Sequence, residues 1–96
     1  MSEPLFSPLA VADIEAIFDY IARDKPQAAI AFVEMLKEKC YTLAQFPLLG
    51  ASRAELLPNL RMFPVGNYVV YYRSEGDGVR IERVLHGAQD TDALLG

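Results

Sequence analysis

At 96 residues the chain has room for one domain with one core, and a single cysteine and a single histidine exclude both an internal disulfide and a zinc site of about four ligands. No run approaches the ~20 apolar residues of a membrane span, and the N-terminus MSEPLFSPLA carries an acid where a secretory signal carries bases, so a cytoplasmic location is expected. The net charge of −4 weighs against a general nucleic-acid binder; the five basic groups of residues 49–96 are nevertheless all arginines (Arg53, Arg61, Arg73, Arg80, Arg83), which leaves room for a local arginine patch beside the plainer reading of a solvated face.

Residues 3–6 read as a short extended segment with Leu5 and Phe6 as strand residues. Ser7-Pro8 then opens a helix: serine is a good N-cap, and proline loses no partner at the first helical position. Ile14, Ile17, Phe18 and Ile21 follow at i, i+3, i+4, i+7, one apolar stripe from which Asp13, Glu15 and Asp19 mostly stand aside. Arg23-Asp24-Lys25-Pro26 breaks the helix and starts another. Asp24 is its expected N-cap, with Gln27 three residues on as in a capping box. Ala29, Phe32, Val33, Leu36, Cys40 and Leu43 form the second stripe. The two helices, over about 8–23 and 25–45, are joined by so short a turn that an antiparallel hairpin is expected. Cys40 lies on the stripe and reads as a small core residue.

Phe46 to Pro58 reads as a loop, punctuated by Pro47, Gly50 and Pro58. Three strands follow, Leu60–Val65, Tyr68–Arg73 and Val79–His86. They are separated by Gly66-Asn67, both suited to positive φ, and by Glu75-Gly76-Asp77-Gly78. Gly87 ends the last strand, and the tail 88–96 reads as either a short helix or an unstructured end. The middle strand is apolar on both sides: Tyr68, Val70 and Tyr72 on one, Val69 and Tyr71 with Arg73 on the other. A half-solvated antiparallel sheet would alternate. The hairpin can cover one face only; the other is left to the tail, to a partner or to an exposed apolar patch, and in so small a chain a partner is the favoured cover. In the last strand Val79, Ile81, Arg83 and Leu85 share a face, unless a bulge shifts the register; Arg83 there is either a buried ion pair or a functional group. The fold class is α+β: an N-terminal strand and a helical hairpin packed on a three- or four-stranded antiparallel sheet, with residues 1–96 as a single domain.

This order of elements, with FSPLAVADIEAIFDYIA, the loop residues Phe46, Pro47, Gly50, Arg53, Glu55 and Leu56, then GNYVVYYR and RVLHGAQD, resembles the RelE/ParE toxins of bacterial type II toxin–antitoxin systems. The resemblance covers nearly the whole chain. RelE-type members cut mRNA on the ribosome with an arginine on the middle strand; Val69 stands at that place here. ParE-like members commonly read His-Gly-Ala-Arg-Asp at the end of the last strand; here it is His86-Gly87-Ala88-Gln89-Asp90. Phosphoryl chemistry depends on cationic clamps, and the expected set is missing. The ParE-like branch is therefore favoured. It implies a toxin that inhibits DNA gyrase by binding, without catalysis or cofactor. It also implies neutralisation by a ParD-like antitoxin with a ribbon-helix-helix DNA-binding region, so that DNA is met only through that partner. A ribosome-dependent endoribonuclease and a non-toxic, antitoxin-binding relic are the alternatives.

Arg61, Tyr71, Tyr72, Arg73, Arg83 and His86 are the candidate antitoxin- or target-binding residues. Arg61, Arg73 and Arg83 could clamp a phosphate or carboxylate, or pair with Glu82, Glu55 or acids of the antitoxin. The tyrosines could stack on bases, though such residues more often anchor cores and interfaces. His86 could act in acid–base chemistry, but no nucleophile or orienting partner can be identified beside it, and a structural strand-end histidine is the favoured reading.

Overall fold

In the computed structural model, residues 3–87 are described. Strand β1 (Leu5–Phe6) leads into helix α1 (Pro8–Ala22), helix α2 (Pro26–Gln45), strand β2 (Ala51–Ser52) and strands β3 (Leu60–Val65), β4 (Tyr68–Glu75) and β5 (Gly78–His86). The sheet runs β1-β5-β4-β3-β2. It has five strands where three or four were expected, and it is mixed: β1 pairs parallel to β5 while every other pair is antiparallel. Strand β1 falls on the expected Leu5 and Phe6; the added member is β2, a two-residue edge strand inside the expected loop and too short to leave a periodic signal. The helices carry the chain to the far side of the sheet, and the antiparallel meander β3–β4–β5 then brings β5 back beside β1, running in the same direction.

Ser7 makes that junction. Its hydroxyl accepts the Ala10 N–H at 3.0 Å as an N-cap and donates to the Glu82 carbonyl at 2.7 Å, while its own N–H donates to Ile81 O at 2.9 Å. One residue thus caps the helix and extends the pairing with β5. The second helix starts differently from expectation. Lys25 and not Asp24 is the N-cap, without a side-chain cap bond. Pro26 explains this, because the residue before a proline is driven out of the α region, which fixes the boundary at Lys25.

The inner sheet face carries Val70, Tyr72, Val79, Ile81 and Val84 and meets Ala10, Ile17, Leu36, Cys40 and Leu43 of the hairpin. Cys40 is fully enclosed, and burial pushes its thiol up to about 12, so it stays protonated. The expectation that the outer face needs a partner is corrected by the structure. The segment after β2 turns back, and Leu56, Leu57 and Met62 pack on Leu60, Tyr71 and Leu85 in a second cluster. What reads as a loop is a cover, held by hydrogen bonds from the Leu56 and Leu57 N–H groups to the Arg53 carbonyl.

The register of β5 shifts between Tyr71 and Tyr72 of its neighbour: Tyr71 faces Arg83 but Tyr72 faces Ile81, so Glu82 is the extra residue of a bulge. Without it, strict alternation would put Arg83 among Val79 and Ile81. The bulge moves Arg83 and Leu85 to the outer face and gives Val84 and His86 to the inner one. Gly66 takes φ +59°, whereas Asn67 does not use the left-handed region, so the hairpin turn needs its glycine at the first central position only. The tail after Gly87 lies outside the described residues.

Candidate partner-binding surfaces

Three surfaces stand out. Along the hairpin, Phe6, Val11, Ile14, Phe18 and Val33 line an apolar groove of about 400 Å³, rimmed by Glu15, Asp19 and Lys37. It exists because α1 carries apolar residues on more than one stripe. Ile17 turns inward and is buried, while Val11 remains 44% exposed. An apolar trough with a charged rim suits the apolar face of an amphipathic segment.

The second surface is the arginine cluster of the outer face. Arg73 and Arg80 stand directly opposite each other across β4 and β5, a repulsive placement. Glu82 resolves it from the bulge: one carboxylate oxygen takes Nε and a terminal nitrogen of Arg73 at 3.0 and 2.7 Å, the other takes Arg80 Nε at 2.9 Å. Burial pushes the Glu82 carboxyl up, but the bonds from Arg73 and Arg80 outweigh this and hold it below its ordinary range. Beside it Arg83 is gripped by Asp13 of α1 through two bonds of 2.8 and 2.9 Å, and Asp13 also accepts the Val84 N–H at 2.9 Å. Asp13 therefore closes the edge of β5 where β1 stops. Its bond to Arg83 is the main cause that raises the guanidinium pKa further. With Ser7, Pro8, Leu9, Leu57 and Leu60, these arginines line a depression of about 310 Å³.

The third is the loop after α2. Tyr72 is fully enclosed, and its hydroxyl donates to the Pro47 carbonyl and accepts the Gly50 N–H, each at 2.8 Å. Arg61 donates to the Gly50 carbonyl at 2.6 Å. Burial raises the Tyr72 pKa, against the opposing Gly50 N–H and the nearby Arg61 charge. Gly50 is obligatory here, since a Cβ would lie 2.5 Å from the Tyr72 oxygen and 2.6 Å from the Met62 carbonyl oxygen.

The six candidate residues thus fall into separate places. Arg73 and Arg83 come together on the outer face, and the buried Tyr71 is the cross-strand neighbour of Arg83. Tyr72 is enclosed and has no surface to offer, whereas Arg61 is half-buried and, while holding the loop, lines a depression with Leu48, Ser52 and Ser74. His86 ends β5, edge-on to Tyr68 at 5.4 Å, beside a separate depression with Tyr20, Phe32 and Met35. The pairings Arg73–Glu82 and Arg83–Asp13 fit the ion-pair reading; Arg61 instead binds backbone carbonyls, and Glu55 pairs with Arg53 at 2.7 Å. Sequence reasoning missed Asp13 and Arg80. Asp13 had a signal: an acid at the edge of an apolar stripe, in the helix that packs on a strand carrying an unexplained arginine. Among the described residues no group of three or more His, Cys, Asp or Glu side chains could hold a metal, and no helix is long and apolar enough to cross a membrane.

Comparison with known proteins agrees with this architecture. A solved chain described as the chromosomal ParDE toxin–antitoxin system from P. aeruginosa superposes with a TM-score of 0.75 at 25% identity, covering 90% of this chain and 96% of that one. Toxin ParE3 of Caulobacter vibrioides is 34% identical over 85 residues, 88% of this chain and 85% of the relative. Toxin RelE2 of the same organism is 33% identical over 89 residues, 93% of this chain and 99% of the relative. The model of the ParE toxin of type II toxin–antitoxin systems matches residues 5–91. With hairpin, sheet and family match in agreement, the chain belongs to the ParE toxin family of type II toxin–antitoxin systems, toxins that act by binding rather than as enzymes.

Proposed function

We propose that the chain acts as one cytoplasmic toxin domain that inhibits DNA gyrase by binding it and is neutralised by a ParD-like antitoxin. The observation that carries the choice of binding over phosphoryl chemistry is the state of the outer-face cations. Arg73, Arg80 and Arg83 are each engaged by Glu82 or Asp13, and Val69 occupies the nearby position of β4. Such paired arginines suit recognition; stabilising a developing phosphorane charge needs cations aimed at it. Arg73, Arg83 and His86 are the groups we assign to partner contact, with Tyr71, Tyr72 and Arg61 shaping the surface from beneath. The hairpin groove is assigned to the antitoxin, whose amphipathic segment would lay its apolar side on Val11, Ile14 and Phe18. DNA enters only through the antitoxin's ribbon-helix-helix region.

The 33% identity to a protein named RelE2 makes mRNA cleavage the second reading. Brief expression followed by two readouts separates them: cleavage mapped on translating ribosomes, and supercoiling by purified gyrase. Inhibited supercoiling with intact mRNA is expected. Ribosome-dependent cleavage that disappears on Arg83→Ala or His86→Ala, with gyrase untouched, overturns the proposal. Adding the protein encoded directly upstream should raise the toxin's melting temperature, because a partner that binds only the folded state stabilises it.

A further inference from the structure

The arginine cluster of the outer face is only partly neutralised. Arg73, Arg80 and Arg83 are matched by two carboxylates, Glu82 and Asp13, so one positive charge is left over in a chain whose net charge is −4. Hydrogen-bond donors are left over too. A guanidinium carries N–H groups on Nε and on both terminal nitrogens. Arg73 gives Nε and one terminal nitrogen to Glu82, and Arg80 gives Nε alone. The other terminal nitrogen of Arg73 and both of Arg80 meet no acceptor among the described residues, and the two side chains stay 39% and 38% exposed. Like charges directly opposite on neighbouring strands repel, and neither guanidinium serves the apolar core. One glutamate shared between them relieves the repulsion in part and leaves the pair ready for a second anion. The surroundings describe that anion. Pro8, Leu9, Leu57 and Leu60 wall the depression of about 310 Å³ beside the pair. Apolar walls around cations suit a carboxylate on its hydrocarbon stem and weaken the screening that water gives an ion pair. The first turn of α1 forms part of the wall, and a helix N-terminus adds partial positive charge. A nucleic-acid backbone fits worse, since it follows an extended basic surface and a single excess charge in an acidic chain offers none.

We propose that Arg73 and Arg80 form a receptor for one Asp or Glu carboxylate of the antitoxin, with Glu82 holding the two guanidiniums in position to take it. The receptor adjoins the surface assigned to that partner. Phe6 lines the hairpin groove, and the next residue, Ser7, lines the depression. Leu9 of the depression and Val11 of the groove are both exposed and, two positions apart, lie on different sides of α1. A segment with its apolar side in the groove therefore reaches the arginines by crossing the start of α1, and an acid carried there is bound while its apolar neighbours rest on Leu9. The bonds to Glu82 order both guanidiniums before the partner arrives, so little side-chain freedom is lost on binding. The terminal nitrogens that remain present the planar fork that matches a carboxylate.

The inference rests on the reading of the chain as a toxin held by an antitoxin, and the test separates their failures. Wild type is compared with Arg80→Gln, Arg80→Lys and the control Arg23→Gln, which removes an exposed arginine at the turn between the helices. The probe is the purified protein encoded directly upstream, as wild type and with each Asp and Glu changed in turn to its amide. Affinity, melting temperature and growth arrest on expression are measured. Arg80→Gln should bind the probe more weakly on the order of tenfold, as loss of one partner of an interfacial charge pair does. Its melting temperature should stay unchanged, because a partly exposed pair adds little stability. Arg80→Lys keeps the charge without the fork and should fall between. Arg23→Gln should bind as wild type does. One acid of the probe should reproduce the loss, and combining that change with Arg80→Gln should weaken binding no further. Changes on the probe leave the toxin's fold untouched, so they decide the matter even where Arg80→Gln melts earlier. Undiminished binding by Arg80→Gln, an equal loss in Arg23→Gln, or strict additivity with every acid of the probe overturns the receptor. So does lost arrest with probe binding intact, which gives the cluster to the target, and so does binding of a short DNA duplex by the free toxin that Arg80→Gln abolishes, which makes phosphate the ligand. A wild type that does not bind the probe overturns the antitoxin reading itself and the receptor with it.

Discussion

The two faces of the sheet are closed by different means. The inner face is covered by two long helices whose stripes place Leu36, Cys40 and Leu43 in continuous apolar contact with it. The outer face is covered by one short folded-back segment with two leucines, and beyond that by paired charges. Burial of apolar area is non-directional and additive, so the helical side supplies most of the stability. Ion pairs at partly exposed sites contribute little stability but fix geometry and charge pattern. One face makes the fold; the other is free to be shaped for recognition.

The strongest way to test that contrast is at Leu36, fully enclosed under the hairpin. Leu36→Ala should cost about 2–5 kcal/mol of unfolding free energy in denaturant titration, as core leucine truncations do. Leu60→Ala, equally enclosed in the outer cluster, should shift the same single transition. A separate, earlier transition for Leu60→Ala would show that the outer cover unfolds independently. Next in size is Asp13→Ala. It removes both Arg83–Asp13 bonds and the acceptor of the Val84 N–H, and a loss of about 2 kcal/mol is expected, since bonds to charged groups are worth more than neutral ones. Tyr72→Phe removes two hydrogen bonds from the loop and should cost about 1–2 kcal/mol, with faster amide exchange at Gly50 as its local signature.

The smallest effect is the pH dependence of Glu82. Its folded pKa is depressed, so its contribution is complete above the unfolded value near ~4.3 and is lost as pH falls through the lower folded one. Stability of wild type relative to Glu82→Gln should therefore be favourable at pH 6, by about 1 kcal/mol, and should shrink below pH ~4. A difference that is flat with pH, or grows in acid, would mean that the Arg73 and Arg80 pairs do not set the charge of that carboxylate.

The helical face was legible in the sequence because its signal is periodic: the stripes over α1 and α2 predict their limits to within a residue or so. The outer face was not. The Glu82 bulge inverts alternation for everything after it, and nothing in VRIERVLH marks which residue is extra. Leu56 and Leu57 look like loop residues until the chain folds back, a tertiary event with no local period. Of the candidate site residues, Arg73 and Arg83 were placed on one surface only by that bulge, and Tyr72, read as a core or interface anchor, is a core residue whose hydroxyl also tethers a loop that no sequence period announces. The parallel pairing of β1 escaped notice because two residues cannot show a pattern.

Those two-residue edges have a consequence for the life of the toxin outside its complex. Open strand edges recruit other strands, and a long bare edge is a template for fibres. Here one side ends in Leu5–Phe6 and is then closed by Ser7 and Asp13; the other ends in Ala51–Ser52, and the rest of β3 carries Pro64, which has no N–H to give. A molecule stripped of its antitoxin thus offers little template for self-polymerisation. Pairing of its sheet edges is therefore a poor route by which the free toxin would be lost before it meets a target.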